Sequence, residues 1–324
     1  MSTALLICPG CHHKDSSKWV EATGQYNLYT CTVCELTYSD PMRAASADFY
    51  EANTEYDDKW EFGFLQVKMR QLGLKGSLLD IGCGDGRFIE MIRKQFAVTG
   101  LDLNRRAVQR AESERQLTDV HPMTLEEFRL KFPSKRYDVI TFFHFMEHME
   151  DPNRFLSDLK QCLKPSGIIA VSVPNPNRWT LYWTREVWDY PPHHLTRWTR
   201  SNLCALLESQ GFAVMEIHAE TVTISNQVTN AIRDILWAIV FKRFRFGIAS
   251  RLEAHREEIA ASRGNTFVGS VCAFLLILIR SVLVKLKGKA IRLLSLLLTW
   301  IIYPIFWFGR YEGRSLLVLA RLRD

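Results

Sequence analysis

Between residues 77 and 220 short apolar runs alternate with amphipathic stretches. That alternation is the βαβ rhythm of a parallel sheet covered on both faces. It predicts strands at 77–81, 97–102, 137–142 and 167–173, and helices at 86–95, 104–116, 151–163 and 199–210. A weaker strand falls near Val120 to Met123, and Gly211–Glu220 reads as one more strand after the helix that Gly211 terminates. Gly313–Leu322 reads as a last strand. Ahead of this block, residues 41–76 are aromatic and acidic. There Phe49, Tyr50, Tyr56 and Trp60 stand at roughly helical spacing, which predicts a helical lid or linker. No internal repeat or low-complexity tract interrupts the chain.

The segment Leu78-Leu79-Asp80-Ile81-Gly82-Cys83-Gly84-Asp85-Gly86 is an apolar strand entering a glycine turn and then a helix. Glycines there let a ligand approach the backbone at the carboxyl end of a strand, where open α/β sheets bind small molecules. A tight turn with no ligand is the plain alternative. The spacing is not the dinucleotide fingerprint, because Phe88 and Ile89 stand where the last glycine belongs. A further strand ends in Gly100-Leu101-Asp102, and a carboxylate at that distance can accept both hydroxyls of a ribose.

"LLDIGCGDGRF" with "GLDLN" resembles motif I and the acidic second strand of class I S-adenosylmethionine-dependent methyltransferases. "YDVITFFHFMEHMEDP" and "LKPSGIIAVSVPN" resemble that family's fourth strand, following helix and fifth strand. The resemblance covers about 77–220 and implies a doubly wound, Rossmann-like sheet of seven strands, with Gly313–Leu322 as its antiparallel last strand. It implies that Asp80 and the backbone of Gly82, Cys83 and Gly84 hold the methionine part of S-adenosylmethionine. Asp102 would bind the ribose and Leu103 the adenine, with Phe143 lining the pocket floor and Thr124 or Leu125 as further adenine contacts.

Cys8, Cys11, Cys31 and Cys34 form two CxxC pairs. Four thiolates from two tight turns suit a tetrahedral, closed zinc site; a redox pair would want one CxxC heading a helix. The arrangement resembles the N-terminal zinc ribbon of a group of bacterial methyltransferases, including sugar C-methyltransferases. Cys83, Cys162, Cys204 and Cys272 read as packing residues.

Methyl transfer needs an in-line nucleophile in a water-poor pocket, and a base where the acceptor has a proton to lose. His144, Glu147 and His148 follow the fourth strand, and His193 and His194 sit in "WDYPPHHLTRWT". Both segments face the open side of the sheet, which makes His148 and His194 candidate bases, against a capping or hydrogen-bonding role. Glu147 with a histidine is alternatively a divalent-ion site. Trp179, Tyr182, Trp183, Trp188, Tyr190 and Trp198 suggest an acceptor lid or packing against the next helix.

Composition adds one asymmetry. The 324 residues carry a net charge of +6, yet residues 231–324 hold 16 Lys and Arg against 6 Asp and Glu. Within residues 221–312 lie two strong apolar runs, Phe267–Ile279 and Leu293–Gly309, the second interrupted by Pro304. Both are shorter than the ~20 residues of a spanning helix. A basic, aromatic-rich insertion between two strands points to an anionic membrane surface, with helices lying in the interface. A buried subdomain or dimer interface is the alternative. Nothing at the N-terminus reads as a signal peptide, so the cysteines are expected in a reducing compartment.

The expected organisation is a zinc ribbon (1–40), a helical lid or linker (41–76), a methyltransferase domain (77–220 and 313–324) and a hydrophobic helical insertion (221–312). The expected activity is methyl transfer to a lipid-linked or amphipathic small molecule at the cytoplasmic face of the membrane, peripheral or monotopic. A cell-surface glycan precursor, a polyprenyl-linked sugar or a quinone-like ring each fits. An RNA or protein methyltransferase that reads through the ribbon predicts a basic surface on residues 1–76. Instead Asp48, Glu51, Glu55, Asp57, Asp58 and Glu61 crowd there, which argues against nucleic acid. A non-catalytic S-adenosylmethionine-binding module is the third alternative. The acceptor atom and the oligomeric state are open at this level.

Overall fold

A computed structural model describes residues 6–14, 17–51, 56–178, 189–220 and 313–323. The chain divides into two compact units, residues 1–220 with 312–324, and residues 221–311. All described elements belong to the first. The apolar runs of 221–312, with Cys272, lie outside the described residues, as do Trp179, Tyr182, Trp183 and Trp188. Among the described residues no helix is long and apolar enough to cross a membrane.

Strands β1 (Ser17–Thr23), β2 (Tyr26–Cys31) and β3 (Thr37–Asp40) form an antiparallel ribbon. Two helices follow, α1 (Ala47–Glu51) and α2 (Trp60–Gln71). Phe49 and Tyr50 lie on the first and Trp60 opens the second, so the spacing from Phe49 to Trp60 is not one helix. The stripe that does make a helix is Phe62, Leu65 and Met69, which α2 buries.

The main sheet holds β4 (Gly76–Ile81), β5 (Phe96–Leu101), β6 (Val120–His121), β7 (Tyr137–Phe143), β8 (Leu163–Pro174), β10 (Phe212–Ala219) and β11 (Ser315–Leu322). Its order is β10-β11-β8-β7-β4-β5-β6, and β11 runs antiparallel to both neighbours. Helices α3 (Arg87–Ile92), α4 (Arg105–Arg115), α5 (Leu125–Lys131), α6 (Pro152–Lys160) and α7 (Arg200–Ser209) connect these strands. A two-residue strand β9 (Thr196–Arg197) leaves this layer and pairs with β3.

Both faces of the sheet are covered, so the central strands are apolar without a break. In β4, Leu78 packs with Phe62, Met69 and Phe88, while Leu79 and Ile81 pack on the opposite side with Phe128, Phe155 and Leu156. Each such buried side chain contributes about 1.5–3 kcal/mol. Helix starts are specified locally. Asn104 caps α4 through Ala107 N at 3.1 Å, Thr124 and Glu127 form a capping box on α5, and Asp151 caps α6 ahead of Pro152. Strand β8 starts four residues before its expected position because Lys164 to Gly167 bulge out opposite Asp138, whose Oδ2 accepts from Lys164 Nζ at 2.7 Å.

Candidate active site

Strand β4 runs into a turn in which Gly82 and Gly84 have φ of 74° and 54°, a region glycine enters at no steric cost. The space over both is taken. A Cβ on Gly82 would lie 2.8 Å from the Phe145 ring, and one on Gly84 would lie 2.6 Å from Tyr56. Asp85, in the same turn, is 1% exposed and is held by Arg87 and Arg115 at 3.1 Å each and Arg110 at 3.6 Å. Arg110 and Arg115 fasten α4 to the turn.

Asp102 follows β5. Its Oδ2 accepts from Gly84 N at 2.7 Å and its Oδ1 from Asn104 N at 2.8 Å. Each oxygen keeps a second lone pair for a ligand hydroxyl. Burial raises the Asp102 carboxyl in spite of those two donors. Leu103 beside it is 47% exposed. Asp80 is buried, with Thr141 Oγ1 donating to Oδ1 at 2.7 Å. Burial pushes its carboxyl up to about 7.

Phe143, Thr124, Leu125 and Trp198 each have a structural partner. Phe143 is 5% exposed and packs between Phe62 and Phe88, centroids 5.1 and 4.9 Å away. It belongs to the core, and Phe145 is the ring that lies against Gly82. Thr124 is engaged in its capping box and Leu125 packs in the core. Trp198, for which a lid or a packing role was expected, is 1% exposed and packs in the core with Cys8 and Leu36.

The chain leaves β7 through His144, whose φ of 51° turns it into a short 3-10 helix, Met146–His148. From the other side, residues 189–194 lead into β9, and Leu195 N donates to Glu147 O at 2.7 Å. These two segments bring His148, His193 and His194 together, with ring centroids 4.5, 5.0 and 4.7 Å apart. Glu147 lies beneath them, 1% exposed. Burial alone would raise this carboxyl, yet His144, His148 and His194 hold it at about 2. Burial, and then His148 and His194, push His193 down to about 3. His144 Nε2 donates to Glu61 Oε1 at 3.0 Å. Glu61 also accepts from Ser315 Oγ at 2.7 Å, which joins α2 to β11.

Lys59, Phe145 and Asp189 were not singled out from the sequence, and Tyr56 and Glu61 were read there only as part of the aromatic, acidic stretch 41–76. Lys59 opens α2 among the carboxylates of Glu61, Glu147, Asp80 and Asp102, and burial lowers its pKa. The acidic run 48–61 reads as a solvated face. Only its helical phase with Phe62 and Leu65 hints that Glu61 turns inward.

The remaining cluster is that of Cys8, Cys11, Cys31 and Cys34, whose sulfurs lie within 4.8 Å of one another. Cys8 Sγ is 3.5 Å from Cys34 Sγ, and Cys11 Sγ is 3.6 Å from Cys31 Sγ. In the absence of a cation, burial raises the Cys8 thiol to about 11. The ribbon packs on the sheet layer through Asn153 Nδ2, which donates to Pro9 O at 2.6 Å, and Ser39 N, which donates to Leu195 O at 2.8 Å.

The strand order, the glycine turn and the acid after β5 coincide with a family match. The family model of a methyltransferase domain matches residues 56–217, half of the chain. The chain belongs to the class I S-adenosylmethionine-dependent methyltransferases. Among curated proteins, this methyltransferase is 29% identical over 162 residues to the ubiquinone biosynthesis O-methyltransferase of Coxiella burnetii, covering 44% of this chain and 69% of that one. It is 35% identical over 117 residues to the enzyme of the same name from Pasteurella multocida, covering 32% and 48%. A solved S-adenosylmethionine-dependent methyltransferase from Archaeoglobus fulgidus matches with a TM-score of 0.45 at 18% identity, covering 86% of this chain and 100% of that one.

Proposed function

We propose that this methyltransferase methylates a hydroxyl of an amphipathic small molecule, of the quinone-like or lipid-linked class, at the cytoplasmic face of a membrane. The observation that carries the reading is the histidine basin around buried Glu147, because an oxygen acceptor has a proton to lose and half-buried imidazoles within reach of solvent can take it. The name carried by the two curated relatives supports a quinone-like ring. The basic, apolar segment 221–312 supports a membrane surface.

S-adenosylmethionine supplies an electrophilic methyl on a sulfonium. Asp102 would accept the two ribose hydroxyls on the lone pairs its backbone donors leave over. The Gly82–Gly84 backbone with Asp80 would hold the methionine part, and exposed Leu103 would lie against the adenine. Tyr56 and Phe145, which lie against the two glycines, shield that crevice from water. His148 Nδ1 donates to His193 O at 2.6 Å, leaving Nε2 as the acceptor. Asp189 Oδ1 faces His194 Nδ1 at 3.4 Å and orients that ring in the same sense. Either Nε2 would take the acceptor's proton.

The four cysteines would hold a structural zinc ion. Their sulfur separations of 3.5 and 3.6 Å approach the edge of a tetrahedron with Zn–S bonds of about 2.3 Å. The test of the reading is to incubate the full chain with methyl-labelled S-adenosylmethionine and a total lipid extract. Label in an extractable lipid or quinone supports it. Label confined to RNA or protein when those are supplied overturns it.

A further inference from the structure

The buried carboxylate of Glu147 raises a question that the proposed chemistry leaves open. Both of its oxygens are buried without a hydrogen-bond partner. An ionised carboxylate in that state costs several kcal/mol unless something compensates it. What surrounds it is a set of nitrogen ligands. Its Oε1 lies 4.0 Å from His148 Nε2, 3.9 Å from His194 Nε2 and 3.6 Å from His144 Nδ1. None of these distances is a hydrogen bond. Those of His148 and His194 exceed by a little over half an ångström the separation of about 3.3 Å between two ligands on one tetrahedral ion, a gap that small ring rotations would close. The ligand atoms of His148, His193 and His194 lie within 4.8 Å of one another.

The tautomers agree with metal ligation. His148 gives its Nδ1 proton to the His193 carbonyl at 2.6 Å. His194 turns its Nδ1 to Asp189 Oδ1 at 3.4 Å, and Asp189 is itself paired with Arg178. Each arrangement leaves a bare Nε2, and a carboxylate or carbonyl behind the ring is the usual support of a ligating histidine.

We propose that His148, His193, His194 and Glu147 form a second metal site, distinct from the cysteine cluster, for a borderline divalent transition ion of the Zn²⁺ type. Three imidazoles and one carboxylate suit such an ion; Mg²⁺ and Ca²⁺ prefer oxygen throughout. The site deepens the proposed function and rests on it only for the next ligand, the acceptor oxygen. A hydroxyl bound to the ion loses its proton to solvent, so the imidazoles act as ligands in place of accepting it. The oxyanion then forms a bond to the methyl carbon as the carbon–sulfur bond breaks, and the sulfonium becomes a neutral thioether.

The test counts zinc per full-length chain by mass spectrometry after equilibration with Zn²⁺, with S-adenosylmethionine affinity measured by calorimetry on the same samples. The expected result is that His194→Gln and Glu147→Gln each bind one equivalent fewer than the parent while cofactor affinity holds. Asp189→Asn should weaken the lost site about 10- to 100-fold without abolishing it. In the Co²⁺ form of the parent, the absorption lost on His194→Gln should lack thiolate charge transfer. An unchanged zinc count in both variants overturns the site. Retained cofactor binding alongside that negative result leaves the proposed function standing without the ion.

Discussion

The cysteine cluster and the basin at the carboxyl end of the sheet both gather ligating side chains in a small, partly buried volume, and they differ in what surrounds them. The thiols sit on two tight turns of a small ribbon, the members of each pair three positions apart in the chain. The basin gathers His148, His193 and His194 from segments some forty residues apart, with Glu147 beside His148 and His194 and with Asp80, Asp102 and Lys59 nearby. A closed set of soft ligands holds structure together. An open set of imidazoles and carboxylates at the end of a parallel sheet holds charge where a reaction can use it. One should therefore fail as stability and the other as activity.

The sharpest break is Cys31→Ser. If the ribbon depends on an ion, this change or a strong chelator should lower stability by several kcal/mol, read as a fall in melting temperature. An unchanged melting curve would remove the contrast. Next, Glu147→Gln should lower methyl transfer by about 10²–10⁴-fold while the melting temperature stays near that of the parent. Asp80 sharpens the point from the electrostatic side. Its folded carboxyl stands at about 7 against 3.8 when free. The native state thus keeps a proton that the unfolded chain has released, and stability from this group is lost as pH rises from about 4 to about 7. Asp80→Asn should escape that loss, gaining a few kcal/mol relative to the parent by pH 8, at ~1.4 kcal/mol per unit. Denaturant melts at pH 5 and pH 8 measure it. The smallest effect is expected for Asp102→Ala, which should weaken S-adenosylmethionine by about 10- to 100-fold, the worth of one or two hydrogen bonds to a charged group.

The same contrast governs what could be read without coordinates. Strands β4, β5, β7, β8, β10 and β11 follow from apolar runs and glycine punctuation, which are local signals. The cysteine pairs are local as well. Asp102 was placed by its distance along the chain from the glycine turn, a spacing fixed by one βαβ unit. The basin is another matter. Glu61, Lys59 and Asp189 reach it only because α2 and the segment before β9 fold onto the sheet, and no periodicity records that. Phe143 and Phe145 show the limit most clearly. The two rings are two residues apart in the chain, but the left-handed turn at His144 parts them. One goes to the core and the other to the glycine turn.

The pairing of β9 with β3 has a practical consequence. Thr37 aligns with Arg197 and Tyr38 with Thr196, so the first forty residues supply the neighbour for the strand that begins two positions after His194. The family match starts only at residue 56. A chain that began at residue 56 but kept β11 would hold the nucleotide crevice while losing the splint that sets the angle of the paired histidines. Such a fragment should still retain its cofactor on a column, yet turn over poorly.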